Sequence, residues 1–494
     1  MKLSCYPGRD EFCDLAKKGN VIPVCLEVLA DTETPVSLLL KKYRKGSPIF
    51  LLESVEGGER WGRYSFLGTR ARYDVRVFPE ALLISGAGGE LSIEHHGDPN
   101  AALREFMARF KPVAQPRLPR FWGGLVGYFT YEMVSFFERI ENRLPPEKPL
   151  AHFLVTGDLY VFDNVRHTLT LVSHAFLEEG ADPGAAWDEA VARLDEMRDS
   201  LDAPLPAPEP AGEGGTELTP LVEPEIFRQR VRKVKEHIAA GDIIQAVVSQ
   251  PFCLSPAVPA TSLYRAQRYV NPSPYMFFFQ MDEIALVGSS PETMVRLEGG
   301  TATLRPIAGT RPRGADQKKD RKFADELLKD PKERAEHLML VDLGRNDLGR
   351  VAETGTVQVT DLLVVERYSH VMHLVSNITC DLARGKDGWD LLAATFPAGT
   401  LSGAPKVRAM EIISEMEDTP RGPYGGAVGY VSFTGNLDLA ITIRTAMIEN
   451  GNLTVQAGAG LVADSDPESE RVECVNKARA IGRAIRLVRQ GQGE

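Results

Sequence analysis

The sequence contains no apolar run long enough to cross a bilayer and no excess of basic residues. A membrane-spanning helix needs about 20 predominantly apolar residues, and Met1 to Asp10 lack the apolar stretch of a signal peptide. Lys and Arg number 57 against 68 Asp and Glu, a net charge of −11, which leaves no overall basic surface for a nucleic acid. We therefore expect a cytoplasmic protein that binds neither membranes nor nucleic acids.

Cysteine is also scarce, with six residues scattered along the chain and no C-x-x-C pair. This pattern favours ordinary reduced thiols over a disulfide framework or a zinc site. What the sequence does contain is a globular composition, with 43% hydrophobic and 25% charged residues, which excludes general disorder. The 494 residues predict two domains or one very large one.

One segment is too poor in core-forming residues to belong to a packed domain. Ala203 to Pro224 has six prolines, three glycines and no aromatic residue. Apolar residues with helical spacing flank this segment on both sides. We predict an amino-terminal portion at 1–202, a linker at 203–224 and a carboxy-terminal portion at 225–494.

Short β-branched segments bounded by turns predict strands along most of the chain. They alternate only loosely with helices, which favours an α+β fold with antiparallel or mixed sheets over a doubly wound parallel sheet. The hexapeptides beginning at Gly123 and Gly425 share Gly-Gly-x-Val-Gly-Tyr. This internal echo marks either two closely approaching strands or a coincidence.

Two pairs of carboxylates lie near predicted helix starts. Asp330-Pro331 and Asp466-Pro467 each place an acidic N-cap before a proline. Residues three apart share a helix face, and the two pairs are Glu333 with Glu336 and Glu470 with Glu473. If the helices met, the four acids would form an oxygen-only site suited to Mg²⁺. Spacing alone favours a simpler interpretation, in which these acids complement the helix dipoles.

Two glycine-rich segments offer backbone N–H groups to a ligand. Gly399 to Lys406 leads into a predicted helix, where an anion can bind. It is not a Walker loop, because Ala404 and Pro405 separate Gly403 from Lys406. In Gln456 to Gly460 the alternate glycines leave one strand face bare, which admits either a ligand or a tightly crossing strand.

His370 and His373 resemble a metal-binding pair, but their segment alternates like a strand. Residues three apart in a strand point to opposite faces, so the two histidines cannot chelate one ion together. For either one alone, a hydrogen-bonded structural histidine is the commoner outcome.

Four motifs, taken in order, resemble the chorismate-utilising enzymes and, among them, the chorismate-binding components of anthranilate synthases. They are Pro306–Arg311, Glu336–Leu343, Gly399–Lys406 and Gln456–Gly460. The resemblance covers nearly the whole chain, with Leu51–Ser54 and Arg63–Phe66 matching the amino-terminal part. It implies a two-layer antiparallel or mixed β-sandwich with helices packed outside, a regulatory and subunit-contact role for 1–202, and a catalytic role for 225–494.

The resemblance also implies roles for individual residues. Glu336 and Glu473 match Mg²⁺ ligands, with Glu333 and Glu470 nearby or acting through water, which reverses the interpretation from spacing alone. The residues that match chorismate contacts are Gly309, Thr310, Tyr424, Arg444, Gly458, Ala459 and Gly460. Those that match the neighbourhood of the reacting atoms are Glu292, His373, Thr400 and Gln245. Glu292 is the candidate acid, although a turn glutamate would look the same, and His373 has a proton-transfer or electrostatic role.

Two positions separate the branches of this family. Water-using relatives carry a lysine base where this chain has Gln245, and aminodeoxychorismate synthases typically carry a nucleophilic lysine where it has Ala308. Glutamine and alanine therefore favour direct addition of ammonia, loss of pyruvate and formation of anthranilate. Aminodeoxychorismate synthase and a non-catalytic sensor of chorismate or tryptophan remain alternatives.

The resemblance implies partners as well. We find no glycine-flanked nucleophilic cysteine with a suitably placed histidine in this chain, so ammonia must come from solution or from a glutamine amidotransferase subunit, commonly in a heterotetramer. Four residues match a pocket in which tryptophan acts as a feedback inhibitor: Ser54, Pro274, Tyr275 and Met276.

Overall fold

The computed structural model describes residues 5–29, 32–54, 62–368 and 371–491. Within these ranges the chain forms eleven α-helices. They are α1 (Arg9–Leu15), α2 (Pro35–Lys42), α3 (Pro99–Ala108), α4 (Pro183–Asp199), α5 (Pro224–Ala240), α6 (Ala260–Val270), α7 (Gln317–Lys329), α8 (Pro331–Gly349), α9 (Gly388–Thr395), α10 (Lys406–Met416) and α11 (Pro467–Gln490). Short 3₁₀ segments occur at Tyr131–Phe136, Ser200–Asp202 and Gly399–Leu401.

The same ranges contain twenty-two strands. In the amino-terminal half they are β1 (Val21–Leu29), β2 (Ile49–Glu53), β3 (Tyr64–Val77), β4 (Ala81–Gly86), β5 (Gly89–Glu94), β6 (Gly124–Phe129), β7 (Ala151–Asp163), β8 (Thr168–Phe176) and β9 (Thr219–Pro220). In the carboxy-terminal half they are β10 (Gln245–Leu254), β11 (Tyr275–Met281), β12 (Ile284–Ser290), β13 (Thr293–Glu298), β14 (Thr301–Leu304), β15 (Ile307–Pro312), β16 (Gln358–Arg367), β17 (Val371–Asp381), β18 (Gly403–Ala404), β19 (Ala427–Ser432), β20 (Leu437–Ile441), β21 (Thr445–Glu449) and β22 (Asn452–Leu461).

The paired strands are antiparallel, as in β1 with β8, β3 with β7 and β10 with β22. This arrangement confirms the predicted α+β class. Among the described strands, two pairings join residues 1–202 to residues 225–494, because β2 lies beside β11 and β6 lies beside β19. The two portions predicted from the linker therefore share their sheets, and the boundary at 203–224 stays a prediction.

The layers are visible in β7, whose residues are buried on both faces. Leu154, Leu159 and Val161 pack into a cluster made mostly of strand residues from both halves. Their neighbours Phe153 and Val155 face a different cluster, which includes residues of α3 and α9. Because successive side chains of a strand point to opposite faces, β7 lies between a sheet-to-sheet core and an outer layer that contains helices.

The internal echo in the sequence corresponds to a direct strand pair. Gly127 of β6 lies opposite Gly429 of β19, and Val126 lies opposite Tyr430. A Cβ on Gly127 would lie 2.0 Å from the His152 carbonyl oxygen, and one on Gly429 would lie 2.1 Å from that of Asp438. The shared glycines are therefore required by close backbone contacts, which is the first of the two interpretations of the echo.

Both acidic helix starts form as the sequence predicts. The Asp330 side chain accepts hydrogen bonds from the backbone N–H groups of Lys332 and Glu333 at the start of α8. The Asp466 side chain accepts one from Ser469 at the start of α11. No helix in the described part of the chain is both long and apolar enough to span a membrane.

Candidate functional site

The tips of α8 and α11 bring the predicted metal-binding glutamates near one another. Burial raises the pKa of Glu336, and the negative charges of Glu333 and Glu473 add to the effect. Burial also raises the pKa of Glu470, again with a contribution from Glu473. Like charges influence one another in this way when they are close, so the four acids lie in one neighbourhood.

Among the described residues, two basic side chains form ion pairs with these acids. The Lys477 ammonium lies 2.8 Å from a carboxylate oxygen of Glu473, and it also donates to the Gly458 carbonyl at 2.8 Å. The Arg311 guanidinium lies 3.0 Å from Glu333. The sequence interpretation missed both cations, although Lys477 stands four residues after Glu473 on the same helix face.

Among the described residues, one group of three side chains has its potential metal-ligand atoms within 4.8 Å of one another. These four glutamates do not form it. It consists of Asp74, His152 and Asp282. The Arg76 guanidinium lies 2.8 Å from Asp74 and 2.5 Å from Asp282, so this group is an ion-pair network. Mg²⁺ usually takes one or two carboxylates and completes its shell with water and substrate, and Glu336 with Glu473 fit that donor set.

Glu292 follows β12 and is 8% exposed. Burial raises its pKa to about 7, against an opposing hydrogen bond from Thr400 and the positive charges of Arg444 and Lys477. The Thr400 hydroxyl donates to a Glu292 carboxyl oxygen at 3.0 Å. A carboxyl group with a pKa near neutrality can donate a proton at physiological pH.

Arg444 lies between β20 and β21 with a positive φ of 50°. Burial lowers the pKa of its guanidinium, and Glu292 opposes the shift. In the part of the chain that the structure describes, no carboxylate forms an ion pair with this guanidinium. A partly buried guanidinium without an ion-paired carboxylate is well suited to a carboxylate of a ligand.

His373 of β17 lies beside the same arginine. Burial lowers its pKa, and the positive charge of Arg444 contributes in the same direction. Its Nδ1 lies 2.9 Å from the Gly309 carbonyl oxygen and 3.1 Å from the Thr310 hydroxyl. A carbonyl only accepts, so Nδ1 carries the proton and Nε2 of the neutral ring carries the lone pair. His370, the other candidate, lies outside the described residues.

Strand β22 supplies the bare glycine face. A Cβ on Gly458 would lie 2.8 Å from the Tyr424 hydroxyl oxygen, and one on Gly460 would lie 2.7 Å from Gln245 Nε2. Gln245 Nε2 also lies 3.5 Å from Glu336, and its Oε1 is buried without a hydrogen-bond partner. Ala459, between the two glycines, is fully buried and lies opposite Val248 of β10.

Gly309 lies between His373, which donates to its carbonyl, and the acidic tip of α8. Its φ is +68°, and a Cβ there would lie 3.0 Å from a Glu333 carboxylate oxygen. Direct neighbours thus connect all the parts of the site: the candidate acid Glu292, Arg444, His373, the glycine strand and the acidic helix tips. The sequence motifs that are distant along the chain converge on this one place.

The Gly399–Lys406 segment contributes Thr400 to the site, but its other polar groups are engaged within the fold. The Ser402 hydroxyl donates to the Ala398 carbonyl at 3.0 Å. Lys406 lies 2.6 Å from Asp347 and donates to the carbonyls of Thr395 and Pro397. The segment therefore acts as a braced support for Thr400.

The four residues matched to an inhibitor pocket lie together at a separate location. Ser54, Pro274, Tyr275 and Met276 line one cavity where β2 meets β11. The Tyr275 hydroxyl donates to Asp438 at 2.8 Å and lies 3.0 Å from the Thr293 hydroxyl. Thr293 is the neighbour of Glu292 in the sequence, so the cavity is one residue removed from the candidate acid.

Comparisons with known proteins agree with one another. Residues 62–483 match the family model described as chorismate binding enzyme. Anthranilate synthase component 1 of Aquifex aeolicus is 45% identical over 98% of this chain and 99% of its own length. That of Pseudomonas aeruginosa is 46% identical over the same shares.

Solved structures show the same relationship. The crystal structure of anthranilate synthase component I from Streptococcus pneumoniae is 34% identical, with a TM-score of 0.75 over 92% of this chain and 99% of that chain. The menaquinone-specific isochorismate synthase of Escherichia coli is 20% identical, with a TM-score of 0.70 over 96% of this chain and 98% of that one. At that identity the second similarity concerns the fold alone.

Proposed function

This chain belongs to the chorismate-binding enzyme family, and we propose from that premise that it acts as the chorismate-converting component of an anthranilate synthase. Chorismate and ammonia would give anthranilate and pyruvate, the first committed step of tryptophan biosynthesis. The observation that carries the proposal is the partly buried Arg444 guanidinium, which forms no ion pair with a carboxylate of the described residues and lies near the buried acid Glu292. The pair offers a carboxylate site next to a proton donor.

The substrate has two carboxylates, and the site offers two places for them. Arg444 would bind one through parallel hydrogen bonds. The backbone N–H groups of Gly458, Ala459 and Gly460 would bind another, because the missing side chains let a ligand approach the strand. Gly309, Thr310 and Tyr424 are proposed to complete the contacts with the ring and its side chain.

Proton transfer is assigned to Glu292 and His373. Hydroxide is a poor leaving group, so Glu292 would protonate the ring hydroxyl as it departs. Its pKa of about 7 keeps a large fraction of this carboxyl protonated at neutral pH. The His373 ring is held neutral by burial, with Nδ1–H donated to Gly309, and its Nε2 would accept the ring proton as pyruvate leaves.

A magnesium ion is proposed as the cofactor, with Glu336 and Glu473 as ligands and Glu333 and Glu470 nearby. When bound, Mg²⁺ would neutralise and orient the ring carboxylate. The chain's own part is to keep several acids close despite their mutual repulsion, which adds to the effect of burial in raising the pKa of Glu336. The Lys477 ammonium and the metal ion would compete for the Glu473 carboxylate, so the ion pair between Lys477 and Glu473 would break when the ion binds.

The nucleophile is proposed to be ammonia. Neutral ammonia is already nucleophilic and needs no base to activate it. Gln245, which lies 3.5 Å from Glu336, is an amide and cannot act as a base. Ala308 of β15 cannot form a covalent adduct.

We propose that a glutamine amidotransferase subunit supplies the ammonia and that the assembly is a cytoplasmic heterotetramer. We also propose that tryptophan acts as a feedback inhibitor by binding in the cavity lined by Ser54, Pro274, Tyr275 and Met276.

One assay tests the proposal. The purified chain is mixed with chorismate, Mg²⁺ and ammonium at mildly alkaline pH, and anthranilate fluorescence and pyruvate are measured. Anthranilate and pyruvate in equal amounts are expected, and addition of EDTA should abolish both. An amino product that retains the pyruvyl group would identify an aminodeoxychorismate synthase, and an unchanged substrate would contradict catalysis.

A further inference from the structure

A buried ion pair outside the residues discussed so far connects two parts of the site. Arg421 and Glu417 are 4% and 5% exposed and follow α10. The guanidinium donates to both Glu417 carboxylate oxygens, from Nε at 2.8 Å and from Nη2 at 2.7 Å. This bidentate geometry is the strongest form of such a pair.

The same guanidinium reaches two backbone carbonyls on different elements. Nη1 donates to Leu401 at 2.7 Å, and Nη2 donates to Val247 of β10 at 2.7 Å. Leu401 is the neighbour of Thr400, which contacts the candidate acid. Val247 lies opposite Gly460 of the glycine strand. One side chain therefore spans the proton-donor side and the anion-binding side.

Glu417 extends the connection along the glycine strand. Its Oε1 accepts hydrogen bonds from the Ser249 backbone N–H at 2.7 Å and from the Ser249 hydroxyl at 2.9 Å. Ser249 lies opposite Gly458, and its hydroxyl accepts a bond from Gln456 at 2.8 Å. The guanidinium carbon of Arg421 also lies 5.8 Å from the centre of the Tyr424 ring.

The geometry points to Arg421, charge-balanced by Glu417, as a positioning residue that fixes the Thr400 segment relative to the glycine strand. Its guanidinium donates to protein groups, namely the Glu417 carboxylate and the carbonyls of Leu401 and Val247, and in this role it sets the separation between the groups proposed to contact the substrate. Only a planar group with donors in several directions can make these bonds at once. Lysine keeps the charge but donates from a single atom. This inference rests on the proposed function, because it concerns the same site.

The test is Arg421→Lys in the full chain, assayed with ammonium and saturating Mg²⁺. Because both the carboxylate-binding strand and the Thr400 segment lose their brace, we expect KM for chorismate to rise at least tenfold and kcat to fall. Glu417→Gln, which keeps an acceptor for Ser249 but removes the charge, should change KM in the same direction. If Arg421→Lys does not fold, the KM of Glu417→Gln tests the positioning role instead.

Arg193→Lys is the matched control. Arg193 on α4 is also largely buried and lies 3.7 Å from Asp158, but it contacts the amino-terminal strands, so KM should stay within twofold of the parent value. A lower active fraction with unchanged KM in the two site variants would mark Arg421 as merely structural and overturn the inference.

Chorismate binding measured by calorimetry separates this inference from the proposed reaction. If the parent chain makes no anthranilate but binds chorismate, the proposed function fails, and a tenfold weaker dissociation constant in Arg421→Lys still supports the positioning role. Equal affinity in parent and variant overturns it.

Discussion

At the scale of single residues, the chemistry depends on opposing influences on one carboxyl group. Burial raises the pKa of Glu292 to about 7, while the Thr400 hydroxyl and nearby cations lower it. The groups facing Glu292 are Thr400, Arg444 and Lys477, and Arg305 and Asp347 line the same cavity. Because a general acid must be protonated, its activity is retained below its pKa and lost as the pH rises through it.

We predict that turnover at a fixed concentration of free ammonia falls as the pH rises through about 7. Thr400→Val removes the hydroxyl that stabilises the carboxylate, so the pKa of Glu292 should rise and the falling limb should move to higher pH. The measurement is kcat/KM against pH. Thr400→Ser retains the hydroxyl and should leave the limb in place; a Thr400→Val limb that is unmoved or shifted to lower pH would contradict the assignment of the acid.

The proposed metal ligand Glu473 gives a second prediction. Glu473→Gln should abolish turnover even at saturating Mg²⁺ and weaken Mg²⁺ binding by calorimetry. Folding should be unaffected, because both Glu473 and its partner Lys477 are half exposed and such surface pairs contribute about 0–1 kcal/mol.

Glu468→Gln serves as the control for this variant. Glu468 begins the same helix but pairs with Arg228 and Arg471, so its substitution should change melting temperature and activity little. Full activity of Glu473→Gln at saturating Mg²⁺ would exclude Glu473 as a ligand.

Among the secondary-structure elements, β22 can pack closely against its neighbours because Gly458 and Gly460 carry no side chains on one face. Its neighbour β10 lies so close that a Cβ on Gly458 would be 3.0 Å from the Val248 carbonyl oxygen. The same Cβ would be 2.8 Å from the Tyr424 hydroxyl oxygen. The absence of these side chains therefore serves packing, and the proposed ligand access, the other alternative left open by the sequence, is compatible with it.

We predict that Gly458→Ala lowers kcat/KM for chorismate by about 100-fold, because displacements on the order of 1 Å have that effect on a positioned substrate. Overpacking should also lower the free energy of unfolding by about 1–3 kcal/mol. Gly482→Ala in α11 is the control, since a Cβ there meets no atom within 4 Å. Steady-state kinetics and denaturant unfolding measure both effects; a fully active Gly458→Ala enzyme would exclude backbone binding at this strand.

The cavity between β2 and β11 gives a prediction about regulation. Tyr275 joins β11 to β13 through its hydrogen bond with Thr293, next to the candidate acid, and to β20 through its hydrogen bond to Asp438. Tyr275→Phe should therefore raise the inhibition constant for tryptophan at least tenfold and leave KM for chorismate within twofold.

Tyr43→Phe is the matched control for this variant. It removes a hydroxyl that lies 3.3 Å from Gln280 and does not line the cavity, so tryptophan inhibition should be unchanged. Equal inhibition of the Tyr275→Phe and parent enzymes would argue against this route between cavity and acid.

At the scale of the whole molecule, the two halves are joined by the pairs β2–β11 and β6–β19. All six residues of both β6 and β19 are buried. Separating the halves would expose these strands and their unpaired edges, which favours aggregation. The chain should therefore unfold as one unit despite its proline-rich segment.

We predict a single transition for the full chain in scanning calorimetry, and an aggregating product when residues 225–494 are expressed alone. The ratio of calorimetric to van't Hoff enthalpy is the quantitative test, since a value near one indicates two-state unfolding. Two resolved transitions, or a folded and active fragment, would show that the halves are independent domains.

The amino-acid sequence was sufficient to predict many local elements and to identify the family. Asp-Pro starts predicted α8 and α11, periodic apolar residues predicted α4 and α5, and ordered motifs identified the relatives. These features are local, because helix capping and hydrophobic periodicity depend on residues a few positions apart.

Which residues become neighbours across the sheets and helices depends on the folded chain and could not be predicted from local sequence patterns. The contact between β6 and β19, the cations facing the acidic helix tips and the bracing of the site by Arg421 and Glu417 join residues that are distant in the sequence. Such contacts depend on how sheets and helices pack, and a residue's burial and partners, which set its pKa and its chemistry, do not exist until the chain has folded.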